Sequence, residues 1–238
     1  MRTPSPAAQT TSHRAPSRSA PASGRKPETV RRICAAAELA FAEQGLAGAR
    51  TDEIARTAGV NKALLYYYFH SKDELYAAVL EGLFLKQQAA IASARSAPSP
   101  RHAASRHKVI SVHQQELRAY VNGAIDFVVA HPNFPRLIQR EMMNRSTQVR
   151  HLMRRFWLPT YQRLEGAIRR GVKSGEFRRV DPQHAVFSII AMTVFYFAAA
   201  PMLKDLFGRD TLKTREVATR REAILDFMEH ALFAHIGR

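Results

Sequence analysis

The sequence predicts an all-α chain: a small N-terminal domain of three helices in a helix-turn-helix arrangement, joined to a larger helical domain, about nine helices in all. Three observations carry this. Apolar residues recur at three- and four-residue spacing along most of the chain, the period of a helix with one buried face. Glycine and proline are sparse, 11 and 12 in 238 residues, and they act as stops between the periodic segments. Neither the alternating pattern of half-buried strands nor regularly spaced hairpin turns recur. With 46% hydrophobic residues, the chain can bury a sizeable core.

Residues 1–27 form a basic arm. The stretch is rich in Pro, Ser, Ala and Thr, carries five basic and no acidic side chains, and has no apolar periodicity. It cannot bury enough surface to offset the entropy of ordering, so disorder is expected. It also lacks the apolar core of a secretory signal. Its Arg14, Arg18, Arg25 and Lys26 suit phosphates or a minor groove.

Residues 28–75 form the first domain. Val30, Ile33, Cys34, Ala37, Ala40 and Phe41 line one helical face until Gly45 ends the run. Thr51 offers a hydroxyl to cap a second helix whose first turn holds Asp52 and Glu53, where the helix dipole favours acids. Ile54, Ala55 and Ala58 are its apolar side and Gly59 its stop. Asn61 caps a third helix over 62–69, and Ser71, Lys72, Asp73 and Glu74 make a capping box that opens a fourth.

Residues 76–238 form the second domain. The fourth helix runs through Val79 and Leu83 to about residue 93, and a loop with two prolines and three arginines covers 94–107. Helices are then expected over 109–130, closed by His131 and Pro132, over 133–143, and over 149–173, the last kinked or split at Pro159. Gly175 is a stop. Asp181 ahead of Pro182 opens a helix to about residue 206, and a final helix covers 214–234.

The net charge of +16 favours polyanionic partners, but its distribution matters more than its size. Residues 28–73 carry six basic and six acidic side chains, whereas 136–179 carry twelve basic and three acidic. The first domain is therefore electrically balanced. A single cysteine, Cys34, excludes an intrachain disulfide and fits a reducing cytoplasm; on the apolar stripe of the first helix it reads as a small buried hydrophobe. His102, His107 and His113, and His230 with His235, lack the four-residue spacing that puts two imidazoles on one helix face. With no phosphate-cradling glycine loop and no nucleophile elbow either, neither enzymatic activity nor a cofactor is expected.

The third helix carries the strongest functional signal. At 100° per residue from Lys62, Leu65 and Phe69 fall at about 300° and 340°, so that side anchors the helix. Ala63 and Tyr67 lie opposite, near ~100° and ~140°, flanked by Leu64, Lys62 and Tyr66. Such a helix, entered from a short helix and a glycine turn, meets the needs of a DNA major-groove reader.

The stretch TDEIARTAGVNKALLYYYFHSKDEL, residues 51–75, resembles the DNA-binding signature of the TetR/AcrR family almost end to end. The likeness is good over 28–75. It is weaker beyond, where Gly171, Gly175 to Arg178, and Asp181 with Pro182 resemble the turn before the family's dimerising helices. The resemblance implies a dimeric regulator, expected to be a repressor, that binds double-stranded DNA at a palindromic operator and is released by a small molecule. An activator of the same fold is the alternative. It implies that Thr51 and Lys72 hold phosphates and set register, with Asn61, Lys62, Ala63, Leu64, Tyr66 and Tyr67 in or beside the groove. Many relatives carry Gly, Thr and His where this chain has Ala63, Leu64 and Tyr67, which points to a less polar readout with apolar contacts to thymine methyls.

The resemblance further implies a homodimer through the last two helices, which contain 187–202 and 224–233, and an effector pocket within the second domain. Candidate lining residues are Phe127, Phe134, Leu137, Met142, Met143, Phe156, Trp157, Tyr161 and Phe187. If Arg136, Arg140 or Arg154 points inward, an anionic effector with an apolar body is expected. Residues 185–203 carry no charge over nineteen positions, a length that just permits a membrane span. A helix apolar all round because it packs in its own subunit and against a partner is the preferred reading, and no membrane association is expected.

Overall fold

A computed structural model describes residues 25–97, 110–144 and 147–234, and most of the basic arm lies outside them, as does the loop from 98 to 109. The described residues are helical apart from short connections and one antiparallel bridge between Phe177 and Phe233. The first domain holds α1 (Arg25–Gly48), α2 (Thr51–Thr57) and α3 (Lys62–Tyr68), and α4 (Lys72–Ser96) leads out of it. The second holds α5 (Val112–Ala130), α6 (Phe134–Asn144), α7 (Thr147–Leu152) and α8 (Leu158–Lys173). The last group is α9 (Pro182–Ile190), α10 (Tyr196–Ala198), α11 (Ala200–Phe207) and α12 (Thr214–Ala231).

Local chemistry explains most boundaries and corrects several expectations. Arg50, in extended backbone at φ −104 and ψ 125, is the residue before α2, so Thr51 is already inside the helix and caps nothing. Asn61 does cap α3, accepting from the Leu64 N–H at 2.7 Å, and Ser71 caps α4, accepting from Glu74 N–H at 3.0 Å. The Glu74 carboxylate does not close the capping box; it accepts from the His70 N–H instead. The fourth helix continues to Ser96, past the expected loop start at 94. A complete capping box joins Ser111 and Gln114 at the start of α5, three residues later than expected.

Both long helices are interrupted at a π-turn, one where Pro159 was expected to break the helix and one where no break was expected. Ahead of Pro159 the helix widens into a π-turn over Met153–Trp157, in which the Leu158 N–H reaches back to the Met153 carbonyl. The Phe156 carbonyl there accepts from Gln88 Nε2 at 3.2 Å, so α4 satisfies an oxygen exposed by the widened turn. The apolar run is not one rod. It passes through a second π-turn, Ala191–Phe195, and bends by 62° between α10 and α11, ahead of Pro201. No single helix among the described residues is long and apolar enough to cross a membrane.

One continuous core joins the two domains, from Ile33, Phe41, Leu65 and Phe69 through Leu80, Phe84, Leu117 and Ile125 to Ile224 and Phe233. Cys34 is half-buried beside it, and burial pushes its thiol above the usual range. At the domain junction, α6 lies along α1: Arg140 donates to the Glu43 carbonyl at 3.0 Å and Asn133 to Glu38 at 3.5 Å. At the far end, residues 232–234 are fastened to the exit of α8. Arg178 N–H donates to the Leu232 carbonyl at 2.8 Å, Ala234 N–H donates to the Glu176 carbonyl at 2.9 Å, and the Phe177 and Phe233 rings stack at 5.1 Å.

Candidate nucleic-acid interface

The reader is built by one buried edge and one glycine turn. Leu65 is fully buried and Phe69 nearly so, which fixes α3 against α1 and α2 as the helical period requires. The turn between α2 and α3 passes through Gly59 at φ 64, a left-handed conformation that a side chain disfavours. Arg32 of α1 braces that turn, its guanidinium donating to the Ala58 carbonyl at 2.9 Å and the Gly59 carbonyl at 2.8 Å. A Cβ on Gly59 would stand 2.8 Å from Arg32 Nη2, so the brace and the glycine depend on one another. Helical periodicity carries no sign of Arg32 in this role.

Opposite the anchored edge, Tyr67 is 68% exposed and Ala63 is exposed, while Leu64 is half-buried. Tyr67 is steadied by an edge contact with Tyr68 at 5.2 Å. The neighbouring strip of α3 is not free. Lys62 Nζ lies 2.9 Å from Asp52 Oδ1, and the Tyr66 hydroxyl lies 3.3 Å from Thr51 Oγ1, so the first turn of α2 holds two polar tips of α3. The hydrogen bond to the Asp52 carboxylate holds the Lys62 ammonium above the ordinary lysine range. Lys72 is half-buried and donates to the Ala47 and Ala49 carbonyls at 3.1 and 3.3 Å, which gives it an intramolecular role at the end of α1. Thr51, Asn61, Lys62, Ala63, Tyr66 and Tyr67 thus lie together along α3 and the start of α2, and Lys72 stands at the base of α4.

The residues expected to line an effector pocket divide into separate groups. Phe127, Phe134 and Phe156 form a buried aromatic cluster around Phe84, with Phe84 stacked on Phe156 at 5.8 Å and Phe127 edge-on to Phe134 at 4.8 Å. Leu137 is fully buried. Trp157, Tyr161 and Phe187 make a second triangle, 5.3 to 6.0 Å between centroids, with Phe187 exposed at its outer corner. Met142 is 66% exposed because it falls on the outer face of α6, which removes it from any interior wall. The side chain of Met143 lies outside the described residues. Arg136, Arg140 and Arg154 are all exposed, so none supplies the inward guanidinium on which an anionic effector was expected.

The buried charge of this interior is acidic instead. Glu141 follows Phe134, Leu137 and Ile138 on the inward face of α6 and is 5% exposed. Its Oε1 accepts from the Tyr76 hydroxyl of α4 at 2.5 Å, while Oε2 is buried without a partner. Burial and this bond push the Tyr76 phenol far above its ordinary range. Around the last helices, Phe187, Phe195, Leu206, Phe207 and Phe227 are exposed. Among the described residues, no group of three or more His, Cys, Asp or Glu side chains is placed to hold a metal ion.

Comparison with known proteins agrees with this layout. Residues 33–79 match the family of bacterial regulatory proteins, tetR family, and residues 114–228 match the tetracyclin repressor-like C-terminal domain. The chain is 32% identical to the HTH-type transcriptional repressor SCO4008 of Streptomyces coelicolor, over 77% of this chain and 86% of that one. It is 29% identical to the transcriptional regulator RutR of Escherichia coli, over 74% of this chain and 77% of that one. Among solved structures, a transcriptional regulator from Saccharomonospora viridis in complex with choline shares the fold at a TM-score of 0.63 and 19% identity, covering 88% of this chain and 100% of that one. With both domains matched and a relative this similar across most of its length, the chain belongs to the TetR family of transcriptional regulators.

Proposed function

We propose that the protein is a cytoplasmic, ligand-responsive repressor that binds a palindromic DNA operator as a homodimer and leaves it when a small molecule binds the second domain. The observation that carries the DNA assignment is the division of α3 into a buried edge, Leu65 and Phe69, and an exposed edge, Ala63 and Tyr67. One short helix reads only a few base pairs, and two-fold symmetry supplies the missing site length. The exposed apolar side chains of α9 to α12 support that symmetry through a bundle of the last helices. Thr51 and Lys72 contact phosphates in this reading, Lys72 by exchanging a backbone carbonyl for a phosphate oxygen.

The effector acts by binding the DNA-competent and DNA-incompetent arrangements with different affinity. Phe127, Phe134, Leu137, Phe156, Trp157 and Tyr161 are its proposed wall, with Phe187 at the rim. The test of the reader is a gel shift with a duplex selected from random DNA by the wild-type protein. Lys62→Ala and Tyr67→Ala are each expected to weaken binding by about tenfold or more, since a lost base contact costs about 1–3 kcal/mol, while the dimer sediments unchanged. Retained affinity in both variants would remove α3 from the groove.

A further inference from the structure

The one cation of α3 is engaged within its own subunit. Lys62 is the first residue of α3, directly after the Asn61 cap, and the remainder of the helix, Ala-Leu-Leu-Tyr-Tyr-Tyr, is uncharged. Its ammonium faces Asp52 at 2.9 and 3.2 Å, and both side chains are more than half exposed. The N-terminal end of a recognition helix is where base edges are contacted, so Asp52 places a carboxylate at the edge of the surface that meets DNA. An acid there repels every phosphate it approaches, and an exposed pair of this kind is weak enough to be exchanged for another partner.

We infer that Asp52 is a specificity-determining residue, which acts by withholding Lys62 from phosphates and releasing it to a base acceptor such as the O6 and N7 of guanine. The inference rests on α3 being the groove helix. A free lysine at this position would bind any duplex, because phosphates are everywhere and a point charge takes them without regard to sequence. With Asp52 in place, the protein gains from Lys62 only where a base acceptor sits within reach of the ammonium, and sites lacking it meet an acid instead. Selectivity then arises from a penalty on wrong sites as much as from attraction to the right one. The Thr51 and Tyr66 hydroxyls, 3.3 Å apart, hold the same turn of α2 against the same strip of α3, which keeps the carboxylate in register with the ammonium.

The test uses the full chain, the duplex selected by the wild-type protein, and a scrambled duplex of equal composition, with binding measured from about 50 to 200 mM salt. Asp52→Asn is expected to tighten the scrambled duplex about threefold to tenfold and to steepen its salt dependence by about 0.9 per phosphate gained. The selected duplex should change less, so the ratio between the two falls. Asp52→Glu, which keeps the charge, should restore the ratio. In a Lys62→Met background, Asp52→Asn should no longer move the ratio. Equal tightening on both duplexes, unaltered by Lys62→Met, would mean that Asp52 only repels phosphate and would overturn the inference. A wild-type protein that selects no sequence would instead defeat the reading of α3 as the groove helix, and melting curves of each variant separate either result from loss of fold.

Discussion

Replacing Gly123 by alanine should destabilise the protein by forcing α4 and α5 apart. A Cβ on Gly123 would lie 2.5 Å from the Ile91 Cα, 2.8 Å from the Ala90 carbonyl oxygen and 2.8 Å from the Ile91 nitrogen. All three atoms belong to backbone and cannot swing aside. Since non-bonded carbons sit comfortably at about 3.5–4.0 Å, the two helices must part by about 1 Å. Overpacking on that scale costs about 1–3 kcal/mol. For a chain of this size each kcal/mol lowers the melting temperature by about 2–4 °C, which gives a fall of about 2–12 °C. Gly82 on α4 supplies the control: a Cβ there meets nothing within 4 Å, and alanine relieves a helix-weakening glycine worth about 0.5–1 kcal/mol, so its melting temperature should rise. Both variants are compared with the wild type by thermal circular dichroism at one subunit concentration, because a dimer's melting point depends on it. A Gly123→Ala protein melting at or above the wild type would show that the two backbones do not meet at this position.

Three further outcomes follow from features of the second domain. Tyr76→Phe removes the donor to buried Glu141 and should cost about 1–3 kcal/mol in chemical denaturation; Glu141→Leu in that background should recover part of the loss, and an unchanged midpoint in Tyr76→Phe would deny the bond. Glu176 accepts from Ser111 and His113, which hold its carboxyl below the reference value of 4.5. A depressed folded pKa stabilises above the unfolded value and is lost as pH falls through the folded one, so acidification below about 4.5 should cost the wild type more stability than Glu176→Gln, and parallel curves would refute the claim. Phe227, 54% exposed on α12, should be covered by the partner; Phe227→Glu is expected to sediment as a monomer with unchanged helicity, and a dimer would place the interface elsewhere.

The helical period made Leu65, Phe69 and the Asn61 cap legible because each depends on neighbours three or four residues away. What joins distant segments was hidden. Asp52 and Lys62 are ten residues apart across a turn whose path no period encodes, and Arg32 reaches Gly59 from a different helix. Thr51 has the side chain of a cap, but the extended backbone falls at Arg50, so the register moved by one. Glu141 lies on the face of α6 marked by Phe134, Leu137 and Ile138, and its charge masks the inward position that spacing assigns it. Met142, one residue on, turns outward for the same reason. The 62° bend had a visible signal in Pro201, which breaks the run that otherwise reads as one helix. Ser111 and Gln114 likewise carry the spacing of a capping box, and the true start of α5 lay open to that reading.

The clip at the end of α12 ties together more than the chain terminus. Glu176, whose carbonyl receives Ala234, also holds His113 at 2.9 Å through its carboxylate, so the entry of α5, the exit of α8 and the end of α12 converge on one knot. The segment between Glu176 and Ala234 is therefore a ring closed by two backbone hydrogen bonds and one stacked pair of rings. A rotation of α8 would therefore load the end of α12 first, through the Glu176–Ala234 and Arg178–Leu232 hydrogen bonds. Phe233, fully buried and stacked on Phe177, is the side chain that closes the ring, and its loss would free the last turn of α12 from the exit of α8.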